Sequence, residues 1–345
     1  MANSLQIGIL GAGRIGSLHT ELLSTRIPEC TVTAVADVFP EPATALATRF
    51  GIPTVCGSLG ELLSVEDLDA ILVCSSTDTH EEAVCSAARR GIAVFCEKPL
   101  AVDVDSIERM RDAVEASGSI LQVGFNRRFD PNYARMHTAI RTGEIGELHT
   151  VRLTSRDPEP PPIEYVRRSG GLFIDMMIHD LDMVRFLVGA EVSEIYTVAE
   201  CRVDPAIGEA GDVDTALVTL RFANRTIATI ENSRRAAFGY DQRAEVFGSG
   251  GNARTDNVYA NTAVLASESG IRRDVPLRFF LDRYIDSYVV ELSAFVAAVR
   301  QREAPAVDVI DGRESVVLAH AAKRSLDTGL PVKLSEFRAE LGLSV

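Results

Sequence analysis

The chain has 345 residues, enough for about two domains of ordinary size, each able to bury its own core. Hydrophobic residues make up 46% and charged residues 24%, a globular composition far from that of disordered chains. Lys+Arg 35 against Asp+Glu 49 leaves a net charge of −14, which repels phosphate backbones and anionic membranes. With no long basic run to offset it, the charge argues against nucleic-acid and membrane partners and for a small-molecule substrate.

The first strand-like run begins at Leu5, with no charged and apolar leader pattern before it. No uninterrupted apolar stretch reaches the roughly 18–20 residues that span a bilayer. The six cysteines (Cys30, Cys56, Cys74, Cys85, Cys96, Cys201) form no CxxC pair and no zinc spacing, so they read as reduced, packed thiols. These features fit a cytoplasmic location.

Along the chain, Leu5–Leu10 reads as a strand, Ile15–Ile27 as a helix and Thr31–Asp37 as a second strand. A helix follows at Pro42–Phe50, a short strand at Thr54–Cys56, a helix near Gly60–Leu63 and a strand at Ala70–Cys74. Helix Glu81–Arg90, strand Ala93–Cys96, helix Val104–Ser117 and strand Ile120–Gly124 complete the series. Near-continuous apolar strands alternating with helices predict a parallel sheet covered on both faces.

After Gly124 the texture changes. Helix Asn132–Arg141 leads to the alternating run Leu148–Ser155 and then to a stiff loop from Pro158 to Pro162 (PEPPP). One very apolar helix is expected from about Leu172 to Val188, buried between the domains. The alternating segments Ile195–Val203, Thr215–Phe222, Thr226–Asn232, Ala244–Phe247 and Ala263–Ala266 predict an open, mostly antiparallel sheet. Helices Asp282–Arg300 and Gly312–Thr328 close the chain. The fold expected is α/β: a doubly wound nucleotide domain over residues 1–124, then an α+β domain over residues 125–345.

Gly11-Ala12-Gly13-Arg14-Ile15-Gly16 fits GxGxxG at the junction of the first strand and helix. The three glycines allow a tight turn, close backbone approach to a pyrophosphate, and packing of helix on strand. This is the Rossmann arrangement, with the phosphates at the positive end of the helix. Asp37 ends the second strand 21 residues after Gly16, where a carboxylate binds ribose hydroxyls and repels a 2′-phosphate. NAD is therefore expected over NADP.

Lys98, in Glu97-Lys98-Pro99, stands at the carboxyl end of the fifth strand, the edge where open α/β sheets bind ligands. An ammonium there would hydrogen-bond a substrate hydroxyl and stabilise a developing alkoxide; a solvent-facing Lys paired with Glu97 is the alternative. Ser75, Ser76, Thr77, His80, Glu97 and Lys98 are counted with the cofactor set. On a continuous helix, His179 lies about 40° from Asp175 and Asp182 about 20° to the other side. The three would form one polar stripe suited to general-base chemistry. A satisfied core histidine and a metal site are the competing readings of that stripe.

Together these residues resemble the glucose–fructose oxidoreductase and inositol dehydrogenase family, and within it the inositol 2-dehydrogenases, over essentially the whole chain. The carriers are Gly11–Gly16, Glu97-Lys98-Pro99, the run from Gly124 to Asp130 (GFNRRFD), Gly170-Gly171 through Asp175 to His179-Asp180, and Gly239-Tyr240-Asp241-Gln242 through Gly248. The resemblance implies that Lys98, Asp175 and His179 are catalytic, that Tyr240 contacts a polyol and that Arg127 lies near the nicotinamide end. Asp157 stands at a substrate-contacting position where some inositol dehydrogenases carry Asn. It further implies NAD-dependent oxidation of an inositol ring hydroxyl to a ketone with His179 as base, no metal, and a homotetramer serving inositol catabolism. Another inositol stereoisomer, a cyclic sugar or aldose, and a catalytically idle NAD-binding regulator remain open, as does the direction of the reaction.

Overall fold

A computed structural model describes residues 4–343. The chain divides into two compact units, Met1–Phe129 with Asp286–Val316, and Asp130–Ile285 with Val317–Val345. The first break falls five residues beyond the expected Gly124. The return of Asp286–Val316 to the first unit corrects the expectation of two consecutive domains. Its cause is pairing at the last strand of the first sheet. Val123 N donates to Val307 O (3.0 Å), Gln122 Nε2 donates to Glu291 O (3.1 Å), and Phe295 packs edge-on against Phe95.

In the first unit, strands β1 (Leu5–Leu10), β2 (Cys30–Ala36), β3 (Thr54–Cys56), β4 (Ala70–Val73), β5 (Ala93–Glu97) and β6 (Leu121–Gly124) form one parallel sheet in the order 3-2-1-4-5-6. That order reverses at β1, so the crevice beyond the carboxyl ends of β1 and β4 is the place for a dinucleotide. Nearly every residue of β4 and β5 is buried, as the continuous apolar runs require. The helices lie within two residues of their expected positions.

The second unit carries β7 (Leu148–Arg156), β8 (Val192–Glu200), β9 (Thr215–Phe222), β10 (Ile227–Ser233), β11 (Asp241–Gly248), β12 (Gly251–Thr255), the hairpin β13 (Val264–Ser267) and β14 (Gly270–Arg273), and β15 (Val332–Lys333). Seven of these form a sheet in the order 12-11-7-10-9-8-15, antiparallel except for the β7–β10 pair. The segment expected as strand Ala263–Ala266 pairs only with β14, in a separate exposed hairpin. Its alternation predicts a strand but not a partner. In the long sheet, alternate residues of β8 and β9 are buried and exposed, so one face meets the core and the other is bare.

The expected single helix Leu172–Val188 is two helices, Gly171–Asp175 and Ile178–Val188. Between them Met177 N donates to Leu172 O, five residues back (2.9 Å), a widened turn that disrupts the 100° register. Such turns often accompany functional sites. An apolar circumference predicts burial well but carries no sign of a turn of this kind.

Among the described residues no helix is long and apolar enough to cross a membrane. All six cysteines are free, and burial pushes the thiols of Cys74 and Cys96 well above their ordinary range.

Candidate active site

The glycine loop is shaped by backbone crowding at two of its three glycines. Gly11 has φ +98°, and a Cβ on it would lie 2.7 Å from the Cys74 carbonyl and from Ser75 N. A Cβ on Gly16 would fall 1.9 Å from Gly11 O, so helix Arg14–Arg26 packs on β1 only through glycine. Gly13 differs. It is extended (φ −70°), exposed, and a Cβ there would meet nothing within 4 Å. The helix it starts has no side-chain cap, leaving its first amides for an anion. Asp37 joins the loop directly: Oδ2 accepts from Ala12 N (2.7 Å) and Oδ1 from Phe39 N (2.9 Å). A carboxylate oxygen accepts more than one bond, so Asp37 keeps capacity for ribose hydroxyls. Open space at Gly13, an uncapped helix start and a pinned acidic residue fit a dinucleotide.

Along the same sheet edge, Ser75 Oγ bonds Thr79 Oγ1 (2.7 Å), and Ser76 and Thr77 follow in the loop and its short 3-10 turn. His80 is placed differently from the expectation that it contacts cofactor. Its ring is buried, with Nδ1 2.9 Å from Pro99 O and Nε2 3.2 Å from Ser75 O. It braces the β4 loop against the Lys98-Pro99 loop, and burial holds its pKa below the ordinary histidine value despite those carbonyls. Glu97 also has a protein partner: Oε1 lies 2.6 Å from His19 Nε2, and the His19 ring is buried edge-on against Phe95 and Tyr288. Lys98 is half-buried at the end of β5, and Arg127 is buried in the turn after β6.

In the second unit, the sheet register brings three strand ends together. Arg156 of β7 opposes Asp241 of β11 and Ser233 of β10, so Asp157, Tyr240 and Arg234 occupy the next positions. Asp157 N donates to Ser233 O (2.9 Å), and Asp157 O accepts from Ala236 N (2.6 Å). Tyr240 packs edge-on against Tyr284, and the Arg156 guanidinium holds Asp241 Oδ2 at 3.1 Å as well as Glu231. The Asp241 carboxyl is pushed up by burial, but hydrogen bonds from Arg243 and Asn257 outweigh this and hold it below the usual range.

Asp175 lies against the same sheet end: Arg234 Nη1 donates to its Oδ2 (3.1 Å) and Tyr165 Oη to its Oδ1 (2.9 Å). Of the thirteen residues from Leu172 to Val184, only Asp175 and His179 are not buried. The expected stripe therefore reduces to these two. Asp182, expected beside them, is buried. The widened turn changes the register across which the stripe was drawn. The neighbouring Asp180 instead anchors the helix to the sheet, accepting from Ser155 Oγ (2.6 Å) and Asn232 Nδ2 (2.9 Å). Sequence reasoning missed Arg234, Tyr165, His19 and Asp180. The signals available were a charged residue continuing an inward-facing strand and a tyrosine just beyond the proline run. Among the described residues no three His, Cys, Asp or Glu side chains group as a metal site.

Residues 5–125 match the family described as "Oxidoreductase family, NAD-binding Rossmann fold", and residues 133–254 match the GFO/IDH/MocA C-terminal domain. A myo-inositol 2-dehydrogenase of Thermotoga maritima is 46% identical over 332 residues, 96% of this chain and 99% of the relative. The chain belongs to the GFO/IDH/MocA oxidoreductase family. An inositol 2-dehydrogenase of Rhizobium meliloti is 41% identical across 94% of this chain and 97% of its own. Among solved structures, a scyllo-inositol dehydrogenase from Lactobacillus casei with bound NAD(H) and scyllo-inositol superposes with a TM-score of 0.91. It is 27% identical and covers 96% of this chain and 100% of its own. The NAD-binding Rossmann domain and the mostly antiparallel second sheet are thus the family's architecture.

Proposed function

We propose that the protein is an NAD-dependent inositol dehydrogenase, oxidising a ring hydroxyl of myo-inositol to the 2-ketone. The observation that carries this reading is the exposure pattern of Leu172–Val184. In an otherwise buried helical segment, one carboxylate and one imidazole alone are partly exposed. Relatives bearing inositol dehydrogenase names along nearly their full length support the substrate class. NAD, when bound, supplies the hydride acceptor. Gly11, Ala12, Gly13, Arg14, Ile15 and Gly16 would hold its phosphates, Asp37 its ribose, and the Ser75–Thr77 loop and Glu97 the same sheet edge.

His179 takes the proton of the reacting hydroxyl. Imidazole suits this task because its ordinary pKa lies near neutrality. Lys98 hydrogen-bonds the reacting oxygen and stabilises the charge developing on it. Asp175 accepts a ring hydroxyl and orients the polyol, with Asp157, Tyr240 and Arg127 as further contacts. A neutral polyol needs no electrostatic steering, which suits a chain of net charge −14. The bare face of the long sheet, with Tyr196, Val198, Leu217 and Phe247 exposed, is assigned to contact between subunits of a homo-oligomer.

The test is His179→Ala. A positioned base contributes roughly 10²–10⁴-fold, so kcat should fall by about that factor while NADH affinity stays unchanged. A kcat within a few-fold of wild type would remove His179 from the base role.

A further inference from the structure

We propose that Arg234 and Tyr165 are positioning residues for Asp175, and that through it they set the enzyme's affinity for its polyol. The inference rests on the reading of Asp175 as a substrate contact and extends it to two residues outside that contact set.

Asp175 is poorly fixed by its own helix. Gly171–Asp175 has only five residues, too few to be stable alone, and the widened turn follows immediately. The helix is instead held at both ends by one cation. At its start Asp212 accepts from Leu172 N with both oxygens (3.0 Å each), and at its end stands Asp175. The Arg234 side chain, 1% exposed, lies between them, with Nη1 3.1 Å from Asp175 Oδ2 and Nη2 3.7 Å from Asp212 Oδ2. Gly171 has φ +77°, which favours glycine, and a Cβ there would sit 2.7 Å from Asp212 Oδ1.

Arg234 is itself secured: its N donates to Asp214 O (2.8 Å), at the sheet end that also holds Asp157 and Tyr240. A planar guanidinium can face two carboxylates at fixed separation, which the single point charge of lysine cannot do.

The second oxygen of Asp175 is held from the other side. Tyr165 Oη donates to Oδ1 from a single helical turn, Ile163–Val166, whose first amide bond is Tyr165 N to Pro162 O (2.9 Å). The proline run therefore leads directly into the residue that touches Asp175. Each carboxylate oxygen has a donor from outside the helix. Asp175 is thus a preset acceptor for ring hydroxyls, oriented before substrate arrives.

Tyr165 is about half exposed, so Tyr165→Phe removes one hydroxyl without disturbing a core. It should raise KM for myo-inositol about three- to tenfold, with kcat within about twofold and NADH affinity unchanged. Arg234→Lys should lower kcat/KM by about tenfold or more. The decisive readout is coupling: in an Asp175→Asn background, either change should alter kcat/KM by less than about twofold.

Equal fold-losses in both backgrounds, or no change in KM for Tyr165→Phe, would overturn the proposal while leaving Asp175 in place. An Asp175→Asn variant within twofold of wild type would instead remove the substrate role of Asp175, and the proposal with it. Should Arg234→Lys not fold, the Tyr165→Phe cycle decides alone.

Discussion

Gly13 and Gly16 lie three residues apart in one motif, yet the structure predicts different consequences for Gly→Ala. At Gly16 the new Cβ would lie 1.9 Å from Gly11 O, about 1.5 Å closer than an ordinary contact of ~3.4 Å. The obstacle is backbone, and Gly11 is itself fixed by Gly11 N to Ala36 O (2.8 Å). Overpacking of this kind costs about 1–3 kcal/mol or more. At Gly13 the Cβ enters open space at φ −70°. Loss of unfolded-state freedom favours alanine there by about 0.4–1 kcal/mol, and the poorer helix start opposes it by a similar amount. The two nearly cancel.

Gly13→Ala should therefore melt within about 2 °C of wild type without cofactor, and Gly16→Ala several degrees lower. Titration calorimetry should show NADH binding to Gly13→Ala weakened at least about tenfold, because the Cβ fills the space a pyrophosphate needs. Wild-type NADH affinity in Gly13→Ala would refute the assignment of this loop to the pyrophosphate.

Three further outcomes follow from the same geometry. Asp37→Ser should narrow the gap in kcat/KM between NAD and NADP, and an unchanged gap would mean that Asp37 does not choose between them. Burial lowers the folded-state pKa of His80, so its neutral form is favoured in the fold. Its contribution is complete above the unfolded value near 6.5 and is lost as pH falls below it, by at most about 1.4 kcal/mol per pH unit. The Tm of His80→Gln should accordingly fall less steeply from pH 7.5 to 5.5 than that of wild type; parallel slopes would contradict this. Val198→Glu with Leu217→Lys on the bare sheet face should reduce the mass seen by light scattering; an unchanged mass would move the subunit contact elsewhere.

The first sheet was legible because a doubly covered parallel sheet writes itself as short apolar runs between glycines and helices. β1, β3 and the helix Val104–Ser117 lie at the positions expected from that pattern alone. Asp175 and His179 were legible for a related reason, as polar residues on an apolar helix. What escaped depends on tertiary partners. Nothing local marks Asp286–Val316 as completing the first unit, because its bonds to Gln122 and Val123 span more than 160 positions. The Met176–Met177 break leaves the hydrophobic pattern intact, so the register beyond it was misread. Arg234 looks like a strand-end surface residue until Asp175 and Asp212 are seen around it.

Inositol dehydrogenase activity is tested most directly by following NAD reduction at 340 nm with myo-inositol, scyllo-inositol, other inositol stereoisomers and a set of pyranoses. An inositol dehydrogenase turns over myo-inositol at a kcat/KM above that of every pyranose, and this result is expected. Turnover of a pyranose with no inositol oxidised, or no NAD reduction by any of them, would contradict it.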